Sequence, residues 1–349
     1  MLTRRELLTQ ATALSAAASL RPTGLWADQD NPEQTAVRMM TVGAERAVER
    51  GLKFLAQRQQ VDGSFGARGY SRNVGVGALC GLAFMSGGST PGRGKYGAEV
   101  RRGLNFILAN TQASGFINVP ETSSHGPMYG HGFATLFLAQ AYGMSRHAEL
   151  REKLVKAVKL IVNTQNREGG WRYHPQPRDA DVSVTVCQIM ALRAARNAGL
   201  HVPNETIDRC VEYVKKSQNP DGGFRYMLQG GPQSAFPRSA AGLVALYSAG
   251  VYTGPEINRA IKYLMDFLPR AERFRRESHY FYAHYYAVQA MWQAGGDHWA
   301  QWYPAIRDEL ISTQRAQGHW MDSICREYGT AMACIILQLP NNVLPIFQR

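Results

Sequence analysis

"QNREGGW", residues 165–171, decides the fold of this 349-residue chain. A glutamine, three residues, a glycine, one residue and an aromatic carry no chemistry of their own. Their meaning lies in recurrence. The same spacing returns at Gln59-Gly63-Phe65, Gln218-Gly222-Phe224 and Gln314-Gly318-Trp320, and a copy one residue shorter stands at Gln112-Gly115-Phe116. Successive glutamines lie 53, 53, 53 and 96 residues apart, so the last interval holds two units and a degenerate repeat is expected over about 255–300. The chain then contains six units.

Each unit has the same grammar. An amphipathic helix such as "NETIDRCVEYVKKSQ" places apolar residues at i, i+3, i+4 and i+7. A turn follows whose glycine can take the left-handed conformation that ends a helix. The glutamine falls in or near the last helical turn, where it can satisfy loose carbonyls, and the aromatic covers the corner. A second helix comes next, apolar almost all round, as in "DVSVTVCQIMALRAA" or "GTAMACIILQL". Helices without a polar face are buried. Six such pairs predict an all-α fold, an α/α toroid of six helical hairpins with six inner and six outer helices, the sixth closing on the first.

The remainder of the chain frames that toroid. Arg4 and Arg5 precede a modest apolar stretch, "LLTQATALSAAASL", too short and too polar to span a bilayer. Residues 1–27 therefore resemble a twin-arginine export signal, which implies a periplasmic or otherwise exported protein, with 28–43 a linker and 44–349 a single toroid domain. Loss of 1–27 removes Arg4, Arg5, Arg21 and Glu6 and lowers the net charge from +12 to +10. A basic balance of that size favours anionic surfaces. The dense run "PRAERFRRESH", 269–279, also holds Glu272 and Glu277 and reads as a solvated loop. Five cysteines show no metal spacing, and Cys80, Cys187 and Cys334 fall in apolar helical patterns as small buried thiols.

Gln-x3-Gly-x-Trp at 165–171 and 314–320 resembles the "QW" motif of the prenyltransferase and squalene-oxidase repeat family, and the likeness runs from about residue 44 to the C-terminus. The resemblance implies the α/α toroid again, shared by squalene and hopene cyclases, protein prenyltransferase β subunits and complement-type thioester domains. The zinc site of the prenyltransferases needs an Asp-x-Cys pair and a later histidine. Tyr282, His284 and Gly329 stand at those places here, so no metal and no cofactor are expected. No cysteine begins the Cys-Gly-Glu-Gln run of a thioester domain. The cyclases protonate an alkene with the middle acid of Asp-x-Asp-Asp. "DADV", 179–182, supplies Asp179 and Asp181, with Asp181 at the proton donor's place and Val182 where the third acid belongs.

Two roles remain open for Asp181. As a general acid it would need a raised pKa, which burial and a neighbouring carboxylate favour. As the cap of the following helix it would accept from the first free N–H groups, and the helix end and adjacent Arg178 would favour the anion. The same mouth of the toroid gathers His and Tyr. "SSHGPMYGHGF" brings His125, Tyr129 and His131; "SHYFYAHYYA" brings Tyr282 and His284; "CREYG" brings Glu327 and Tyr328. Tyr129, His131, Tyr282, His284, Glu327 and Tyr328 are the candidate ligand-binding residues.

Three functions are consistent with these residues. The first is an isoprenoid or lipid ligand held, or transformed by Asp181 and Asp179, in the toroid cavity. The second is a non-catalytic scaffold that meets a partner protein or an anionic membrane surface. The third is a carbohydrate-active hydrolase or lyase using Asp181 with Glu327. Nucleic acid is not an expected partner.

Overall fold

A computed structural model describes residues 39–122, 126–269 and 278–348. Residues 1–27, read above as an export signal, most of the expected linker 28–43, His125 and most of the basic run lie outside the described residues. Among the described residues twelve α-helices alternate outer and inner. The outer ones are α1 (Val42–Arg58), α3 (Gly97–Ala109), α5 (Leu150–Asn163), α7 (Asn204–Lys216), α9 (Pro255–Met265) and α11 (Gly296–Thr313). The inner ones are α2 (Val74–Ser86), α4 (Pro127–Tyr142), α6 (Val182–Asn197), α8 (Phe236–Ser248), α10 (Tyr280–Ala294) and α12 (Arg326–Gln338). Helices α9 and α10 supply the degenerate fifth unit. No strand occurs among the described residues, only isolated bridges at turns.

Burial follows the periodicity. In α7 the core face is Ile207, Cys210, Tyr213 and Val214, one stripe of the helix. Every residue of α2 is buried. Inner helices pack in sequence around a ring, α12 returns to α2, and the seam is stitched by Gln338 Nε2, which donates to the Ala83 carbonyl at 3.0 Å. At the far end of the ring the C-terminal segment lies across the inner helices, where Trp292 Nε1 donates to the Phe347 carbonyl at 2.9 Å. No helix among the described residues is long and apolar enough to cross a membrane.

The glutamines do more than satisfy their own helix. Gln165 Nε2 donates to the Gly169 carbonyl at 2.8 Å and to the Thr206 carbonyl of the next outer helix at 2.9 Å. Gln59 bridges Gly63 and Glu99 in the same way, Gln218 bridges Gly222 and Glu256, and Gln314 bridges Gly318 and Ala47 across the closing seam. The motif is therefore a rivet between neighbouring hairpins. The second unit corrects the sequence alignment. Thr111 bridges to Ile117 as Gln218 does to Phe224, so Thr111-Gly115-Ile117 keeps the full spacing and Gln112 is outside the motif. Ile117 is fully buried at the corner, whereas Phe116 is only half-buried. Thr111 cannot reach the next helix, and there Lys153 Nζ makes the crossing instead, to the Leu108 carbonyl at 2.9 Å.

A candidate tyrosine-walled binding cavity

Six connectors run from an outer to an inner helix, all at one end of the toroid. There the starts of the inner helices surround a cavity of about 610 Å³. Its wall carries six tyrosines: Tyr70, Tyr129, Tyr173, Tyr226, Tyr282 and Tyr328. Val76, Leu79, Phe133 and Ile324 supply apolar surface between them, and Asn73, Ser183, Arg238, Ser278 and His279 supply polar atoms. His279, the residue before α10, holds left-handed backbone at φ 60°.

The tyrosines hold each other in place. Tyr129 meets Tyr173 and Tyr282 with ring centroids 6.1 and 6.4 Å apart, the latter edge to face. The Tyr173 and Tyr226 hydroxyls hydrogen-bond to each other, and Tyr282 donates to the Ser183 carbonyl at 2.8 Å. Burial raises the pKa of Tyr129, Tyr282 and Tyr328 well above the ordinary phenol value, so all three stay neutral hydroxyls at physiological pH.

Behind this wall sits the acidic pair. Asp181 caps α6, its Oδ1 accepting from the Val184 N–H at 2.8 Å, and it is completely inaccessible. Contrary to the expectation that a helix end would keep it ionised, burial dominates and pushes its pKa up to about 7, against the opposing N–H of Val184 and charge of Arg172. The cation near the pair is Arg172, not Arg178, which points to solvent. Arg172 pairs with the half-exposed Asp179, approaches Asp181 Oδ2 at 3.8 Å, and lies 5.0 and 5.7 Å from the Tyr173 and Tyr226 ring centres. Neither aspartate is on the cavity wall.

Of the residues singled out in the sequence, Tyr129, Tyr282 and Tyr328 line the cavity, while His131, His284 and Glu327 do not. His131 has a structural explanation. Its Nδ1 accepts from the Ile117 N–H at 3.2 Å, the place taken by Thr185 against Trp171, Ser239 against Phe224 and Thr330 against Trp320. It is a corner bracket. His284 occupies the matching turn of α10, packed among Phe236, Tyr280 and Trp302. Burial lowers the pKa of His131 to about 4 and of His284 to about 3, so both are neutral imidazoles at pH 7. Glu327, 1% exposed, accepts from Arg58 Nε at 2.8 Å. Sequence reading missed Tyr70, Tyr173, Tyr226 and Arg238. Tyr173 and Tyr226 both stand two residues after a corner aromatic, an offset that could have found them. All five cysteines are buried and unpaired, and no cluster of three potential metal ligands occurs among the described residues.

Comparison with known proteins agrees with this architecture. Residues 96–269 match the family model of the prenyltransferase alpha-alpha toroid domain. A drimenyl diphosphate synthase from Streptomyces showdoensis is 31% identical over 100 residues, which is 28% of this chain and 17% of that protein. A second, from Streptantibioticus cattleyicolor, is 30% identical over 96 residues, 28% of this chain and 16% of that protein. The chain thus matches only a small part of these relatives' length. Among solved structures, the type II terpene cyclase MstE from Scytonema, in complex with geranylgeranyl dihydroxybenzoate, superposes with a TM-score of 0.60 at 13% identity, covering 87% of this chain and 98% of that one. An α-1,6-mannanase of Salegentibacter sp., in complex with α-1,6-mannotriose, gives 0.59 at 9% identity, covering 85% and 99%. Identities this low establish the shared toroid and nothing finer.

Proposed function

We propose that the tyrosine-walled cavity binds an isoprenoid or a similarly apolar ligand. The observation that carries this reading is the cavity itself: about 610 Å³, open at the inner-helix starts, with aromatic and aliphatic walls. Small-molecule sites fall at roughly 300–1,000 Å³ with such linings. A scaffold with no ligand would be expected to fill its centre with its own side chains. A glycoside hydrolase would need two carboxyl groups facing the sugar, and the described wall carries no Asp or Glu. The stretch resembling drimenyl diphosphate synthases adds support, as does the likeness to a cyclase holding a geranylgeranyl substrate.

Native mass spectrometry of the purified protein with geranylgeraniol, and with mannotriose as control, tests the reading. Retention of the C20 alcohol alone is expected, and Leu79→Trp, which fills the wall, should abolish it. Retention of the sugar but not the alcohol would overturn it.

A second, catalytic reading is favoured by Asp181, whose carboxyl is half protonated near pH 7. In that reading it donates its proton to an alkene carbon of the bound ligand and is later reprotonated as the carbocation loses a proton. Substrate reaches it only if the tyrosine wall shifts. Turnover by the wild type that vanishes in Asp181→Asn with binding intact is the expected signature; turnover unchanged by that substitution would remove Asp181 from the chemistry. We further propose export through the paired Arg4 and Arg5, checked by whether Arg4→Lys/Arg5→Lys leaves the protein in the cytoplasm.

A further inference from the structure

One side chain on the cavity wall carries a charge that no carboxylate among the described residues balances. Arg238, in the first turn of α8, is the only Asp, Glu, Lys or Arg on the described wall. Its guanidinium is fixed in place: Nε donates to the Phe224 carbonyl at 3.0 Å and Nη2 to the Gln233 carbonyl at 2.5 Å. These use two of its five N–H donors and leave Nη1 uncommitted. Among the described residues the groups whose fields reach it are the hydroxyls of Tyr263 and Tyr226, and no carboxylate is among them. Burial accordingly lowers its pKa, the mark of a cation partly withdrawn from water without compensation.

Two other arginines near this mouth, Arg172 and Arg58, are different. Arg172 is held by Asp179 and Asp181, and Arg58 by Glu327. A half-desolvated guanidinium without a counter-ion is unfavourable, and an oxyanion accepting from its free N–H groups recovers that cost. Its position at the start of an inner helix adds the positive end of the helix dipole to the same field. Leu79 and Phe133, apolar parts of the wall, come from α2 and α4, three and two hairpins away around the ring.

From this geometry we infer that Arg238 anchors an anionic head group, a phosphate or a carboxylate, on the apolar ligand whose body lies against Leu79 and Phe133. The inference rests on the isoprenoid reading above and deepens it by giving the ligand a charged end and an orientation.

Calorimetric titration with three C20 probes that differ only in the head tests it: geranylgeraniol, geranylgeranyl monophosphate and geranylgeranoic acid. In the wild type at least one anion should bind about tenfold more tightly than the alcohol, the scale of a charge-assisted hydrogen bond, and the preferred anion identifies the head. Arg238→Gln should bring anion and alcohol to parity, while Arg238→Lys keeps part of the preference. Loss of the bonds to Phe224 and Gln233 can lower stability and overall affinity, which a melting curve reports, but it does not change the ratio of anion to alcohol. Parity in the wild type overturns the anchor, and so does a preference that survives in Arg238→Gln. If no C20 probe binds, the isoprenoid reading falls, and decanoate, decyl phosphate and decanol decide the anchor alone. A preference among them that Arg238→Gln removes sustains it, and its absence overturns it.

Discussion

At the third corner of the ring, Trp171 is sealed inside. Its backbone N–H donates to Thr185 Oγ1 at 3.1 Å and its indole N–H to the Ile161 carbonyl at 2.7 Å. Two residues later Tyr173 turns its ring into the cavity. The fourth corner repeats the pair with Phe224, bracketed by Ser239, and Tyr226 on the cavity wall. At the sixth, Trp320 is bracketed by Thr330 as Trp171 is by Thr185, but the second position holds Asp322, which is off the wall. The first position must fit the same corner in every hairpin, so its chemistry repeats. The second is released from that geometry and varies, through Tyr, Tyr and Asp. What the ring needs is repeated; what the cavity uses is not.

Glycine gives the harshest way to break this contrast. Gly169 has φ +100°, and a Cβ there would stand 2.1 Å from the Arg209 carbonyl oxygen of the next outer helix. Gly169→Ala should cost about 4 kcal/mol or prevent folding, since neither backbone can yield without parting two hairpins. Gly199, at the opposite end of the ring, has φ +83° with nothing within 4 Å of its would-be Cβ. Gly199→Ala should cost only about 1 kcal/mol, the conformational penalty alone. Urea denaturation of both variants measures the difference, and equal costs would mean the corners are not where the ring is held.

Next in size are the buried titratable groups. Asp181 has a folded pKa of about 7, above its ordinary value of 3.8. Its contribution is therefore fully present below about pH 4 and is lost as pH rises through 7, by roughly 2–4 kcal/mol. Asp181→Asn keeps an oxygen for the Val184 N–H and cannot ionise. It should match the wild type near pH 4 and exceed it in stability at pH 8. His131 and His284 slope the other way, because their folded pKa values are depressed. Their contribution is present above about pH 6.5 and is lost as pH falls toward 4. His131→Asn, with a carbonyl oxygen to accept from Ile117, should remove up to about 3 kcal/mol of that acid sensitivity. Melting temperature against pH reads both slopes, and a pH-independent difference in either variant would refute the assignment.

The ring was legible in the sequence because helical periodicity and the recurring Gln-Gly-aromatic spacing are local signals that tertiary packing must respect. Its second unit was misaligned because Thr111 stands where the others have glutamine, and Gln112 beside it offered a false register. The site was legible only in part. Tyr129, Tyr282 and Tyr328 sit at the starts of inner helices and reach the wall. His131 and His284 occupy those same starts but on the turn that faces the corner, and which way a side chain faces depends on hairpin packing that one sequence does not display. Asp181 shows a second limit. Capping predicted an anion, and the burial that reverses it depends on packing with other hairpins, from which Tyr129, Tyr226 and Tyr282 come near it.

Smaller than these is the rivet. Gln165 is 7% exposed, and its Nε2 serves two carbonyls on different hairpins. Gln165→Ala should cost about 2 kcal/mol, because two acceptors lose their donor away from water. Gln112→Ala, outside the motif by the structural register, should change stability by less than about 0.5 kcal/mol. A cost at Gln112 comparable with that at Gln165 would restore the shorter spacing read from the sequence.

The finest test lies on the cavity wall, where hydroxyl removal separates stability from recognition. Tyr282 donates to the Ser183 carbonyl at 2.8 Å, so Tyr282→Phe should lose about 1 kcal/mol. The Tyr328 hydroxyl makes no hydrogen bond to the protein among the described residues, and Tyr328→Phe should stay within about 0.5 kcal/mol of the wild type. Both variants keep the ring face that packs against an apolar ligand, so both should still bind it. If Tyr328→Phe leaves the melting curve unchanged yet weakens ligand binding, its hydroxyl contacts a polar atom of the ligand, and the unrepeated wall carries recognition as well as shape. A Tyr328→Phe variant as unstable as Gln165→Ala would show the opposite: that the wall holds the ring as the corners do, and that the two classes of residue are not distinct.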